Sequence, residues 1–501
     1  MNAIKKPPFG TSKGDAKEGV KVTENDQKQL SKLCPGDFSD SANAALFAEQ
    51  VKNRVRWCDA TGWLVWDGKV WQQNEHEVKA IAMDFSQQML DDAARVFREQ
   101  MKTESGKIDV PEIAKKFIRH AERSRSKSGI DAFVDLAKSF LHIPAADLDS
   151  RWYELNTESG IYDLRTGLSR PHDPLAFHSK IAPFTPTQEG MSEWLDFLKL
   201  VHQGDTELIN YRQMRVGMQL FGKIFTEDLE IDIGSGRNGK SSLNNAIFKV
   251  LGDYAGTLDS DVLTTDKQNK GPALATLRGK RFVICGELEE GQRLSVSFLK
   301  KIASTDPLTI EEKYKNPETV QPSHHIILYS NFLPRVTSAD AGTWRRLTVI
   351  PYQATMPKGD SEIPNYADYL VSRCGGAILQ WALDGARTFY QSGCQLKQQP
   401  RAIKDAIREY RESQDWLTTF INERCSQNDP AARVRSSEIY QEYRYFAQQN
   451  GEYPRRSNDF SRALQDAGFR RIVVNGRPYF AGIKLDYSRT YGGTATAPNC
   501  G

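Results

Sequence analysis

Residues Gly234 to Ser242, GSGRNGKSS, constrain the fold of this chain more than any other stretch. They follow Ile231-Asp232-Ile233 and fit the pattern G-x-x-x-x-G-K-[ST], with Gly234, Gly239, Lys240 and Ser241 at the fixed places. A strand that empties into such a loop and then into a helix turns successive backbone N–H groups onto one anion. Lys240 then reaches the outer phosphates of a nucleotide such as ATP, and Ser241 offers its hydroxyl to Mg²⁺. Leu243, Ala246, Ile247 and Val250 continue at helical spacing, which separates the stretch from a Gly-rich turn before an ordinary helix. Gly234, Ser235, Gly236, Arg237, Asn238, Gly239, Lys240, Ser241 and Ser242 are therefore the predicted nucleotide-binding residues, on an α/β fold.

Further strands read near Asp228–Ile233, Arg281–Gly286, His324–Tyr329 and Arg346–Pro351, alternating with helices as a parallel sheet requires. Hydrolysis needs an acid to hold the metal and orient water, a polar group at the γ-phosphate, and an arginine for transition-state charge. Glu287, at the end of a strand in RFVICGELEE, suits the metal and water role, with Glu289 in support; an acidic surface turn is the plainer reading. Asn331 ends its strand in IILYSNFLP and suits a phosphate sensor or, more simply, a turn cap. Arg345 and Arg346 in GTWRRLTVIPY stand where a neighbouring subunit's nucleotide could be met, or are surface salt-bridge formers at a strand start; which of the two would be the finger the sequence does not say.

The 501 residues leave room for about three domains. No run approaches the ~18 apolar residues of a membrane span, and the N-terminus lacks a secretion signal's apolar core, so a cytoplasmic location is expected. Seven scattered cysteines show no zinc spacing. A net charge of +3 is too mild to decide for or against nucleic acid, so any contact must come from local clusters.

The polar segment 1–40 reads as a disordered tail. From Ala44 a helix leads into an aromatic hairpin, GWLVWDGKVW, turning at Asp67-Gly68, and then into helices including the basic IAKKFIRHAERSRSKSG. Lys115, Lys116, Arg119, Arg123, Arg125 and Lys127 there form either a phosphate-contacting surface or a solvated helix face. WYELNTESGIYDLRTG reads as strand-turn-strand, and the Pro-rich PHDPLAFHSKIAPFTPTQEG as a linker. The chain closes on a helix capped by Ser436 and Ser437, a helix capped by Ser457, and a strand pair turning at Asn475-Gly476. That order suggests a winged helix for DNA, through Arg455, Arg456 and Arg477, or for a protein partner. Asp232 is a charge in a central strand and would need a partner or an edge position.

The motifs GSGRNGKSS, GELEEG, SNFLP and WRRL, in this order within Gly234–Arg346, resemble the superfamily 3 helicases, in the phage and plasmid primase-helicase branch related to the poxvirus replicative ATPase. NTESGIYDLRTG resembles the end of that family's helicase-associated N-terminal domain, and LKKIASTDPLTIEEKYKNP its stretch leading to a DNA-facing hairpin. The resemblance implies residues 41–188 as that N-terminal domain, 189–355 as an AAA+-type P-loop core, 356–428 as a helical connector, 429–485 as a winged helix and 486–501 as a flexible tail. It further implies a homo-oligomeric ring, usually a hexamer, that hydrolyses ATP between subunits and moves 3′ to 5′ on single-stranded and forked DNA. Lys300, Lys313 and Lys315 would face the strand, and a separate primase or origin-binding protein would be a partner. Where relatives place arginines before Tyr-Lys-x-Pro this chain has Glu311 and Glu312, and Ser304-Thr305 replaces the usual Gly-Gly. A small-molecule kinase would leave the paired arginines idle; a nucleotide-switched origin-binding protein would turn over negligible ATP.

Overall fold

The computed structural model describes residues 31–104, 107–264, 271–310, 318–336, 341–356, 363–427, 429, 431–450 and 454–486. The N-terminal segment packs four helices, Asp40–Val51, Glu75–Glu99, Glu112–Ser124 and Lys127–Leu141, with a three-stranded antiparallel sheet. Phe47, Phe85, Phe117 and Phe133 fill its core. The aromatic hairpin joins Gly62–Trp66 to Trp71–Gln73, and Asp67 closes its turn by accepting from the Lys69 and Val70 N–H groups, each at 2.8 Å. A third strand, Val55–Cys58, escaped the sequence reading. The basic segment breaks into two helices at Ser126, whose hydroxyl accepts from the Gly129 N–H. Arg119 pairs with Glu112 and Arg123 with Asp40, so part of that charge serves neighbouring carboxylates on an exposed face.

The Pro-rich segment has a single 3-10 turn, Pro174–Ala176, and is tied down along its length, unlike a free linker. His178 is buried against Glu154, Lys180 pairs with Asp149, and the Ala182 N–H donates to the Asn156 carbonyl.

The central sheet comprises β1 (Leu229–Ile233), β2 (Ala255–Leu258), β3 (Phe282–Cys285), β4 (His325–Ser330) and β5 (Leu347–Pro351), in the order β2-β3-β4-β1-β5. Every neighbouring pair is parallel. Four of these strands were predicted from sequence. The edge strand β2, AGTL, was not: four residues including a glycine carry too little β pattern to register. One face is covered by α1 (Thr206–Gln219), α2 (Lys240–Leu251) and α3 (Tyr366–Gln391); the other holds a second apolar cluster that takes in Tyr410 of α4 (Arg401–Ser413). Helices α1 and α3 cross closely, because a Cβ on Gly217 would come within 2.1 Å of the Ala386 nitrogen and one on Gly385 within 2.2 Å of the Gln213 carbonyl.

The C-terminal unit comprises α5 (Trp416–Arg424), α6 (Ser436–Gln449), α7 (Ser457–Asp466) and a sheet ordered Arg433–Arg435, Arg477–Ala481, Arg471–Val474, around Phe420, Tyr443, Phe460 and Phe480. Asn475 and Gly476, at φ of 50° and 72°, make the two-residue turn between paired Val474 and Arg477. The expected caps are displaced by one place. Ser436 and Ser457 are first helical residues, Ser437 follows inside α6, and Arg435 and Arg456 precede the helices without a side-chain cap bond.

Candidate nucleotide site at the ends of three strands

Parallel strands deliver their C-terminal ends to one edge, and β3, β4 and β1 are adjacent there. Ser330 pairs with Ile233 and Cys285 with Leu328, so the residues just past each strand end are brought side by side. Those residues are Glu287, Asn331 and the Gly234 loop. The Lys240 ammonium lies 2.6 Å from Asn331 Oδ1 and 3.1 Å from the Gly234 carbonyl, and Asn331 Nδ2 lies 3.3 Å from Glu287 Oε1. Three side chains chosen from separate sequence motifs thus form one chain of contacts.

The loop is held in the required shape. Gly236 and Gly239 take φ of 93° and 81°, and Arg237 takes 49°. A Cβ at Gly234 would lie 1.8 Å from Asn238 Nδ2 and 2.5 Å from the Tyr352 carbonyl. Asn238 Nδ2 donates to that carbonyl at 3.1 Å, and the Met356 N–H donates to the Arg237 carbonyl at 2.8 Å, so the segment after β5 braces the loop. Burial lowers the Lys240 pKa, with Glu287 and Asp232 opposing it in part. A buried ammonium hydrogen-bonded to two neutral oxygens, beside a loop without Cβ atoms at the close approaches, fits an outer phosphate. Ser241 is exposed on the first turn of α2 and Glu287 is exposed at the strand end, which suits a Mg²⁺ that also takes phosphate oxygens. Ser235 and Ser242 are part of the same loop and helix start.

The sequence left Asp232 without a partner, and here it has three. Fully buried, it accepts from Arg212 at 3.2 Å, Asn244 at 2.6 Å and the Tyr352 hydroxyl at 3.0 Å. On β1 the apolar Leu229 and Ile231 face one side of the sheet, while Glu230 and Asp232 turn to the other, beneath α1. Arg212 also pairs with Glu230, and Arg215 pairs with Glu230 and with Asp228. Burial raises the Asp228 carboxyl, but Arg215 and hydroxyl donors led by Thr348 outweigh it and hold the pKa below its ordinary value. Asn244 donates to the Lys240 carbonyl as well, at 3.1 Å, so the network reaches the first turn of α2. The sequence signal was acids at alternate positions 228, 230 and 232, with arginines three apart on the preceding helix.

Other predicted residues lie elsewhere. Glu289 is exposed, and its N–H donates to Gln292 Oε1 at 3.1 Å; no described contact joins its carboxylate to Lys240 or Asn331. Arg346 is held within its own chain by Glu227 at 3.0 Å and the Gly342 carbonyl at 3.2 Å, whereas Arg345 is exposed. Lys300 sits half-buried on the short helix Val296–Ile302. Strands Leu308–Ile310 and Glu318–Val320 pair antiparallel as a hairpin stem, while Lys313 and Lys315 lie outside the described residues. Arg455 and Arg456 precede α7, and Arg477 is exposed on its strand.

Residues 44–203 match a family model described as D5 N terminal like, and residues 233–346 one described as Family of unknown function (DUF5906). The chain is 30% identical over 248 residues to "Putative helicase L207/L206" of Acanthamoeba polyphaga mimivirus, covering 47% of this chain and 25% of that protein. It is 25% identical over 363 residues to "Putative primase C962R" of African swine fever virus, covering 66% and 37%. The chain therefore spans well under half the length of these relatives, which come from viruses of eukaryotes rather than bacterial hosts. The A form apo structure of the NrS-1 C terminal region aligns over 85% of this chain and 95% of that one, at 13% identity and a TM-score of 0.45. No described helix is long and apolar enough to cross a membrane. Its sequence matches are thus to viral proteins named as putative helicases and primases.

Proposed function

We propose that this protein is an ATP-dependent DNA helicase that replicates a bacteriophage or other mobile genome. It would work as a ring of AAA+-type subunits, with ATP hydrolysed where neighbours meet and single-stranded DNA drawn through in the 3′ to 5′ direction. The observation that carries the reading is the convergence of Lys240, Asn331 and Glu287 at adjacent strand ends. The strand order with β1 between β4 and β5, and relatives whose names include helicase and primase, support it.

In this reading Lys240 and the N–H groups of Gly234–Ser242 would hold the phosphates, and Ser241 with Glu287 would hold Mg²⁺, which when bound would supply positive charge against the phosphoryl oxygens. Glu287 orients the attacking water, Asn331 hydrogen-bonds the γ-phosphate, and Glu289 supports the acidic end of the strand. Arg345 is the residue offered to a neighbour's nucleotide, because Arg346 is already engaged by Glu227. The hairpin above Leu308–Ile310, with Lys300, Lys313 and Lys315, grips phosphates without reading sequence. The C-terminal unit is read as a winged helix presenting Arg455, Arg456 and Arg477.

Forked duplexes with opposite single-stranded tails test the proposal. Unwinding of the 3′-tailed fork with ATP, lost in Lys240→Ala protein that keeps its melting temperature, is expected. Labelling of a small acceptor would mark a kinase, and duplex binding with negligible turnover a switch.

A further inference from the structure

Away from the nucleotide loop, a cleft of about 540 Å³ opens where the central sheet meets the C-terminal unit. Its floor is the pair of loops that follow β3 and β4. These loops are stitched together: the Leu294 N–H donates to the Arg335 carbonyl at 2.9 Å and the Arg335 N–H to the Gln292 carbonyl at 2.8 Å. Its far wall is Trp416 of α5 and the segment Pro454–Asp459 leading into α7.

Four guanidinium groups line this cleft, Arg293, Arg335, Arg455 and Arg456, against two carboxylates, Glu290 and Asp459. Among the described residues no carboxylate lies within ion-pair distance of Arg293, Arg455 or Arg456. Arg455 is fixed: its N–H donates to the Tyr443 hydroxyl at 3.2 Å, its carbonyl accepts from Tyr440 at 2.9 Å, and its guanidinium stands 4.7 Å from the Trp416 ring centre. Opposite, Phe332 is 44% exposed, a large ring left facing solvent. Cations gathered beside an exposed aromatic ring suit a ligand that alternates phosphates with flat bases, whereas a free phosphate would use only the cations.

We propose that this cleft binds a segment of single-stranded nucleic acid, phosphates against Arg293 and Arg456 and a base against Phe332. The proposal rests on the helicase reading and adds a second strand contact, outside the hairpin. Phe332 directly follows Asn331, and Glu290 stands three residues past Glu287, so a strand here bears on the two loops that end in the hydrolytic groups. The Val336 N–H donates to Gln414 Oε1 at 3.0 Å and the Tyr410 hydroxyl to the Pro334 carbonyl, which ties the same loop to α4.

The test uses the full-length protein with an oligothymidylate carrying 5-iododeoxyuridine. Ultraviolet cross-linking followed by peptide mapping is expected to find adducts on Phe332 or Trp416. Fluorescence anisotropy over a salt series is expected to give the Arg293→Ala, Arg456→Ala double variant a log K against log salt slope shallower by about 1.4, roughly 0.7 for each of two phosphate contacts. A merely structural change leaves that slope alone. Adducts confined to other segments, an unchanged slope, or equal competition by thymidine monophosphate would overturn the cleft while leaving the helicase standing. Wild-type protein that binds no single strand at all would overturn both.

Discussion

Asp232→Ala is the sharpest test of how the phosphate loop is supported. The carboxylate has no solvent to fall back on, and its removal takes an acceptor from three buried donors at once, Arg212 Nη2, Asn244 Nδ2 and the Tyr352 hydroxyl; Asn244 Nδ2 keeps the Lys240 carbonyl, and the hydroxyl is left without another described partner. Arg212 keeps Glu230 and Asn244 Oδ1, so its charge is not left wholly alone. Deleting one partner of a buried pair costs about 3–5 kcal/mol. Asp232→Asn keeps the shape and one acceptor, and should cost nearer 2 kcal/mol. The assay is native-state hydrogen exchange on the amides of β1 and α2, which reports the opening of the elements this network joins. Nucleotide affinity should fall with it, because Asn244 also holds the Lys240 carbonyl. An Asp232→Ala protein whose β1 amides open within 1 kcal/mol (on the order of the mutational noise) of the parent would refute the idea that this network anchors the loop.

Arg345→Ala should reduce hydrolysis by about 10³-fold or more with nucleotide binding retained, and mixing with Lys240→Ala protein should restore part of it; no recovery in mixed assemblies would exclude action across an interface. Arg346→Ala should instead act on stability by breaking the contact to Glu227, read as a lower melting temperature. Gly217→Ala should lower the melting temperature sharply, since its Cβ has no room against α3; overpacking of this kind costs about 1–3 kcal/mol or more. Glu154 gives a pH signature. Burial alone would raise its pKa, but hydrogen bonds from His178 and Arg170 and their charges bring it down to about 2. A depressed carboxylate stabilises above its ordinary pKa, so the contribution, about 3 kcal/mol at most, is present above pH 4.5 and is lost as pH falls toward 2. Acid unfolding of Glu154→Gln should lack that part of the slope.

What the sequence made legible was the geometry that depends on local pattern. Glycine spacing fixes the phosphate loop because few other residues tolerate its backbone angles, and Glu287 and Asn331 could be picked out because each ends an apolar strand. Their meeting with Lys240 follows once β3, β4 and β1 are neighbours. Strand order itself is not a local property: it depends on crossovers, and the short edge strand β2 that completes the sheet carries almost no pattern of its own. The helix starts at Ser436 and Ser457 show the same limit from the other side, since serine is common both as cap and as first helical residue and only the backbone angles decide.

Asp232 shows what a pairwise reading of sequence misses. Taken singly it is an anomaly in a buried strand. Taken with Asp228 and Glu230 it is one stripe of a two-faced strand, and that stripe requires cations on whatever element covers it. The covering element is the helix just before it in the chain, with Arg212 and Arg215 one turn apart and both almost fully buried. A hydrophobic exchange across the whole interface could be as stable, since buried ion pairs gain little over well-packed apolar groups. What apolar packing could not supply is direction. Asn244 donates both to Asp232 and to the Lys240 carbonyl, so the charge network fixes the angle at which α2 leaves the loop, and hence where the Lys240 ammonium points.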